Sequence, residues 1–178
     1  VCGLDLSLRG PAIAVIPAGW RPGDFKAVKT ARFGAALMAD AGECSQAIRM
    51  KTIAGQLSEF AEEHGAIVHT FVEGYAYGGG GAHAHRLAEL TGVVRYFWLW
   101  ASLRLGGEMA VPEPIPAASA RKTIMGKLPR RDVKKAVMAR LDEWKVPKWT
   151  EDERDAFVIA NEGRFRCGLV GLGVPARR

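Results

Sequence analysis

The chain is 178 residues long, enough for one domain with a real core, and 48% of its residues are hydrophobic, which excludes a disordered tail. Its net charge of +6 and pI of about 9.5 favour a polyanionic partner such as nucleic acid. No apolar run reaches the length of a membrane span, because Arg95 and Arg104 interrupt the longest candidate, and the start lacks the basic region and cleavage site of a signal peptide.

The predicted elements follow in chain order. Residues 1–7, Val1-Cys2-Gly3-Leu4-Asp5-Leu6-Ser7, read as a buried strand. Leu8-Arg9-Gly10-Pro11 is a turn, and 12–16 is a second apolar strand, so the two predict a hairpin. Residues 25–33 alternate as a third strand with Lys26 and Lys29 outward. Ile48, Ile53, Leu57 and Phe60 recur at helical spacing across 45–64. A short β-branched strand over 67–73 ends in Glu73 and runs into Gly74-Tyr75-Ala76-Tyr77 and four further glycines, a loop. A long helix spans 82–105. The stretch 109–115 is a strand candidate, placed at a sheet edge by Pro112 and Pro114. Helices follow over 117–125, 131–144 and 151–163, separated by a basic loop at 126–131. Thr150 is the expected N-cap of the last helix, with Glu153 as its capping-box partner. Three strands, helix, strand, helix, strand and then helices predict one α/β domain over 1–178: a mixed five-stranded sheet with helices on both faces.

Cys2, Cys44 and Cys167 are odd in number and widely spaced, which points to free thiols in a reducing compartment. The chemistry lies in the carboxylates. Asp5 sits inside an apolar strand, Glu73 ends another, and Asp152 and Asp155 open an apolar helix, three apart and on one face. Carboxylates bordering core segments are costly unless paired or metal-bound. If the first and fourth strands are parallel neighbours, Asp5 and Glu73 meet at their ends. Oxygen donors without His or Cys select hard cations such as Mg²⁺ or Mn²⁺, and two such ions can clamp a phosphodiester. Glu151 and Glu153 flank Asp152 and compete with it for that role, whereas Asp155 has no such rival.

The densest basic stretch holds Lys122, Lys127, Arg130, Arg131, Lys134 and Lys135, suited to phosphate contacts. Tyr75 and Tyr77, on the glycine-rich loop, are candidates to stack on splayed bases, and His83 and His85 lie just past them. Val93, Val94, Phe97, Trp98, Trp100, Leu103 and Leu105 are too apolar for a solvated helix; most should be core, and the remaining face is a candidate twofold interface.

Gly3-Leu4-Asp5-Leu6-Ser7, Phe71-Val72-Glu73-Gly74-Tyr75 and Asp152-Glu153-Arg154-Asp155-Ala156 together resemble the signature of RuvC-type Holliday junction resolvases, from Val1 to about Gly163. The Gly-rich segment and Glu89-Leu90-Thr91-Gly92-Val93-Val94-Arg95 are similar to the bacteriophage branch. The resemblance implies an RNase H-like fold and a homodimeric, structure-selective endonuclease that nicks two strands of a four-way DNA junction symmetrically. It implies Asp5, Glu73, Asp152 and Asp155 as catalytic and metal ligands for two Mg²⁺ or Mn²⁺ ions, Tyr75 or Tyr77 as a wedge, and DNA contacts from Lys122, Lys127, Arg130, Arg131 and Lys134. It also implies a cytoplasmic location, in a bacterial host cell if phage-encoded. Three alternatives stay open: a broader branched- or flap-DNA endonuclease of the same fold, a non-catalytic DNA-binding module, and a fragment of an actin-like kinase or ATPase, for which 178 residues are too few.

Overall fold

A computed structural model describes residues 1–34, 43–65, 69–74, 82–106 and 111–173. Five strands form one sheet in the order β3-β2-β1-β4-β5: β1 (Cys2–Asp5), β2 (Ala12–Val15), β3 (Lys29–Arg32), β4 (Thr70–Gly74) and β5 (Glu113–Pro116). β1 pairs antiparallel with β2 and β2 with β3, whereas β1–β4 and β4–β5 are parallel, so the sheet is mixed as predicted. β5 lies at an edge, where Pro114 and Pro116 cost no ladder donor on the open side.

Side chains alternate across each strand, and the two sets enter two different cores. Leu4, Ile13, Val15 and Val72 face α1 (Glu43–Glu63) and α2 (Ala82–Arg104), where Ile53, Leu57, Leu90, Val94 and Trp98 complete a closed cluster. Trp98 donates from Nε1 to Thr70 Oγ1 at 2.8 Å, so α2 pins the first residue of β4. Ala12, Ala14, Phe71 and Ile115 face the other layer: α3 (Ala117–Met125), α4 (Val133–Glu143) and α5 (Glu151–Arg166).

α5 lies close against the centre of the sheet because both surfaces are built from small residues. A methyl group placed on Gly3 would overlap the Ala156 carbonyl and the Ala160 backbone, and one on Gly163 would overlap the Phe71 ring. The helix starts as expected. Thr150 Oγ1 accepts from Glu153 N at 3.3 Å, and the Glu153 carboxylate accepts from Thr150 N at 2.8 Å. At its far end Arg164, only 1% exposed, donates to the carbonyls of Pro17, Ala18, Trp20 and Val170. Its guanidinium also lies 5.3 Å from the Trp20 ring, so a buried charge is met by four carbonyl dipoles and a π face.

The third predicted strand is shorter than expected. Phe25–Ala27 is a 3-10 turn, closed by Ala27 N donating to Asp24 O and Val28 N to Phe25 O, and only Lys29–Arg32 is extended. The turn brings the Phe25 ring to 6.2 Å from Phe157 and 6.4 Å from Trp149, a gain that outweighs alternation. The last helix runs three residues past its predicted end, to Arg166. Among the described residues no helix is long and apolar enough to cross a membrane. Burial of the Cys2 thiol pushes its pKa up to about 12, which leaves it an unreactive core group.

Candidate active site

The register of the sheet sets the first two carboxylates. Leu4 pairs with Val72, so Asp5 and Glu73 stand side by side one step further along β1 and β4. Asp5 pairs with Ala12, Ala12 with Arg32, and Glu73 with Ile115, so one row crosses the sheet through Ile115, Glu73, Asp5, Ala12 and Arg32. Gly3 and Phe71 touch α5, and Asp5 and Glu73 are two residues on from them, so the row faces the same helix. The first two turns of α5 lie over it and supply Asp152 and Asp155.

Electrostatics links these groups. Asp5 is pushed up to about 7, chiefly by burial and then by the charges of Asp155, Glu73 and Asp152, with Lys134 acting against them. Burial also raises Glu73, opposed by Arg121 and reinforced by Asp155. Burial raises Asp155, against a hydrogen bond and charge from Lys134 and the charge of Arg121. The four predicted carboxylates therefore share one electrostatic site, although they come from two strands and a helix.

Their present partners are cationic side chains. Arg32 Nε donates to Asp152 Oδ2 at 2.6 Å. Lys134 Nζ lies 2.7 Å from Asp155 Oδ2 and 2.5 Å from Glu151 Oε1. Burial works against the Lys134 charge, but its bonds to Asp155 and Glu151 outweigh this and hold its pKa above the ordinary value. With Asp152 drawn to Arg32 and Asp155 to Lys134, no group of three or more His, Cys, Asp or Glu among the described residues stands ready to hold a metal ion. The metal cage expected from sequence is thus not closed in this arrangement. The donor set still fits a hard divalent cation: it is all carboxylate, and two of its members, Asp5 and Glu73, have no side-chain ion pair among the described residues.

The three neighbouring acids at the start of α5 are separated by their contacts. Glu153 is occupied by Thr150 and by a 2.9 Å hydrogen bond from Thr30 Oγ1. Glu151 is exposed, pairs with Lys134 and acts by its charge on Asp155, whereas Asp152 pairs with Arg32 and acts on Asp5. Lys122 lies on α3, Lys127, Arg130 and Arg131 on the connection to α4, and Lys134 on the first turn of α4; all five are exposed. Of the five, Lys134 touches the acidic site directly. Tyr75 and Tyr77 lie outside the described residues, as does the His83 side chain, and His85 is exposed on α2.

Sequence reasoning missed Arg32 and Arg121. Arg32 is a strand-end arginine whose meaning depends on the Asp5–Ala12–Arg32 register. Arg121 adjoins Lys122, but its helix turns it toward Glu73 and Asp155.

No protein-family profile matches the chain, and no curated protein matches it in sequence. Solved structures do. One, "Thermus thermophilus RuvC structure", is 13% identical, with 96% of this chain and 97% of that chain covered at a TM-score of 0.61. Another, "T. thermophilus RuvC in complex with Holliday junction substrate", is 14% identical, with 94% of each chain covered and a TM-score of 0.61. At this identity the likeness speaks to architecture. With its mixed five-stranded sheet and flanking helices, the chain has an RNase H-like α/β fold of the kind seen in RuvC.

Proposed function

We propose that the chain is a metal-dependent endonuclease that resolves four-way DNA junctions by paired symmetric nicks, acting as a homodimer. The observation that carries this reading is the convergence of Asp5, Glu73, Asp152 and Asp155 at one end of the sheet, with Asp5 raised to about 7 by burial and its acidic neighbours. One chain of similar architecture is described in complex with a Holliday junction substrate, which supports branched DNA as the substrate class. The Gly-rich stretch after Glu73 favours the bacteriophage branch of such enzymes.

Asp5, Glu73 and Asp155, joined by Asp152 once it leaves Arg32, would hold Mg²⁺ or Mn²⁺. Two bound ions would supply an activated water and charge stabilisation at the scissile phosphate. The protein's own groups set the conditions for that chemistry. Asp5 must lose its proton, and the Lys134 ammonium must release Asp155. Lys134 then faces the substrate backbone together with Lys122, Lys127, Arg130 and Arg131, whose phosphate contacts give affinity without base choice. Tyr75 and Tyr77 are assigned to unstacked bases at the branch point.

A four-way junction labelled in turn on each strand tests the reading. With Mg²⁺ the protein should nick two opposed strands at symmetric positions, and with EDTA it should bind without cutting. Asp5→Asn and Glu73→Gln should each lower nicking by at least about 100-fold, in line with losing a metal ligand, while junction affinity stays within about threefold. Wild-type nicking by either variant would refute the site. Equal cutting of flaps and junctions would favour the broader branched-DNA enzyme.

A further inference from the structure

A cavity of about 400 Å³ opens on the opposite side of the sheet from the carboxylates, and arginines dominate its polar lining. Leu6, Leu8 and Leu87 form its apolar walls, and Arg9, Arg49 and Arg86 reach it from the β1–β2 turn, α1 and α2. Among the described residues no acidic side chain lines it. None of the three guanidiniums pairs with a carboxylate among the described residues. Among those residues, too, Arg49 Nε is buried without a hydrogen-bond partner. A buried donor with no acceptor is unfavourable unless a partner completes it, and the exposed Arg9 and Arg86 bring two further positive charges to the same opening, which favours an anion.

Its position ties the cavity to the site. Leu6 directly follows Asp5, so the cavity opens at the same carboxyl-terminal edge of the sheet, where α/β folds receive ligands. Ser7 Oγ accepts from Arg9 N at 3.1 Å and Gly10 N at 3.0 Å, which fixes the turn that presents Arg9. The volume exceeds what a lone phosphate needs and lies in the range of small-molecule sites. Guanidiniums fork onto phosphate oxygens and also stack on base planes.

We propose that Arg9, Arg49 and Arg86 bind the phosphate of an unpaired nucleotide whose base lies against Leu6, Leu8 and Leu87, next along the strand from the phosphate at Asp5. Its role in DNA cleavage rests on the nuclease reading; the nucleotide pocket itself does not. The strand crosses the sheet edge at Asp5, and the neighbouring nucleotide is anchored on the far side.

Two measurements test it, with Arg49→Gln, Arg86→Gln and the double variant, each checked for wild-type circular dichroism. Arg86 is exposed, so its variant tests the pocket even if Arg49→Gln fails to fold. In EDTA, the affinity of a labelled junction is followed against salt. Loss of this one phosphate, on an unpaired strand, should lower the slope of log K against log salt by about 0.7. The second measurement is an NMR titration with thymidine 5′-monophosphate and, separately, inorganic phosphate. The nucleotide should shift the Leu6, Leu8 and Leu87 methyl signals and bind about tenfold more tightly than phosphate, as burial of the base against apolar side chains implies. The double variant should lose both effects. Wild-type junction affinity and slope in the double variant, with wild-type nicking intact, would overturn the pocket and leave the nuclease reading standing. Equal binding of phosphate and nucleotide would overturn the nucleotide assignment. If the wild type binds no DNA, the nuclease reading fails and the titration alone decides the pocket.

Discussion

Asp5 shows how one residue couples stability to function. Its carboxyl is raised from 3.8 to about 7 in the folded chain, by burial first and by Asp155, Glu73 and Asp152 after it. The native state therefore holds this proton more tightly than the unfolded chain does. Its contribution is most favourable below the unfolded value and is lost as pH rises from about 4 to 7. Glu73 and Asp155, raised as well, act in the same direction, whereas Glu153 is lowered: burial opposes that shift, but its bonds from Thr150 and Thr30 prevail. In EDTA, Asp5→Asn should therefore be more stable than the wild type at pH 8, by on the order of 2 kcal/mol, and indistinguishable from it near pH 4. Added Mg²⁺ should stabilise only the wild type and narrow the gap, because binding to the native state alone raises its stability. Thermal melts at both pH values, with and without the ion, check this. Equal melting of the two proteins at pH 8 would mean that neither burial nor the neighbouring acids make the Asp5 carboxylate costly to the fold.

At the scale of elements, the site depends on how closely α5 lies on the sheet, because Asp155 is carried there by the helix. Gly3 and Gly163 keep that gap narrow. Gly3→Ala should cost about 1–3 kcal/mol through overpacking. It should also lower metal-dependent nicking far more than junction binding, since it displaces Asp155 relative to Asp5 and leaves the exposed basic residues of α3 and α4 in place. Gly92→Ala provides the opposite sign. Gly92 lies within α2, and a methyl group placed on it would meet no other described residue within 4 Å, so the change should raise stability by up to about 1 kcal/mol through helix propensity. Denaturant unfolding of both variants measures the contrast. Much of this element-level picture was legible in the sequence. Continuous apolar runs marked β1, β2 and β4, and Thr150 with Glu153 marked the start of α5. The carboxylates stood out because Asp5 and Asp155 interrupt runs that should be wholly apolar. Phe25 was not legible, because its ring gains more from Trp149 and Phe157, over a hundred residues away, than from strand pairing. Arg32 and Arg121 were hidden for a similar reason: a surface arginine looks alike in sequence whether it faces water or a carboxylate.

For the whole molecule, the unmet demand of the fold is the outer face of α2. Val94 and Trp98 enter the core as expected, joined by Leu90 and Ala101; Val93 and Phe97 pack at its margin, whereas Trp100, Leu103 and Leu105 are exposed. Tyr96, Trp100 and Leu103, at helical spacing on the outer side, are 58%, 53% and 52% exposed. The Tyr96 and Trp100 ring centroids are 6.4 Å apart, so the two form a continuous aromatic surface. Such a stripe on a charged protein is the seat that suits the proposed twofold contact, and a standard interface needs about 800 Å² from each partner. A twofold pair of sites also matches the symmetry of a four-way junction, so assembly and paired nicking should fail together. Trp100→Glu with Leu103→Glu places like charges against each other across the axis without touching the core or the carboxylates. Sedimentation equilibrium at micromolar concentration should give a dimer for the wild type and a monomer for the double variant. The monomer should still nick junctions, since all four proposed carboxylates come from one chain, but its cuts on opposed strands should become independent. A monomeric wild type, or a dimeric double variant with paired cuts, would remove α2 from the interface.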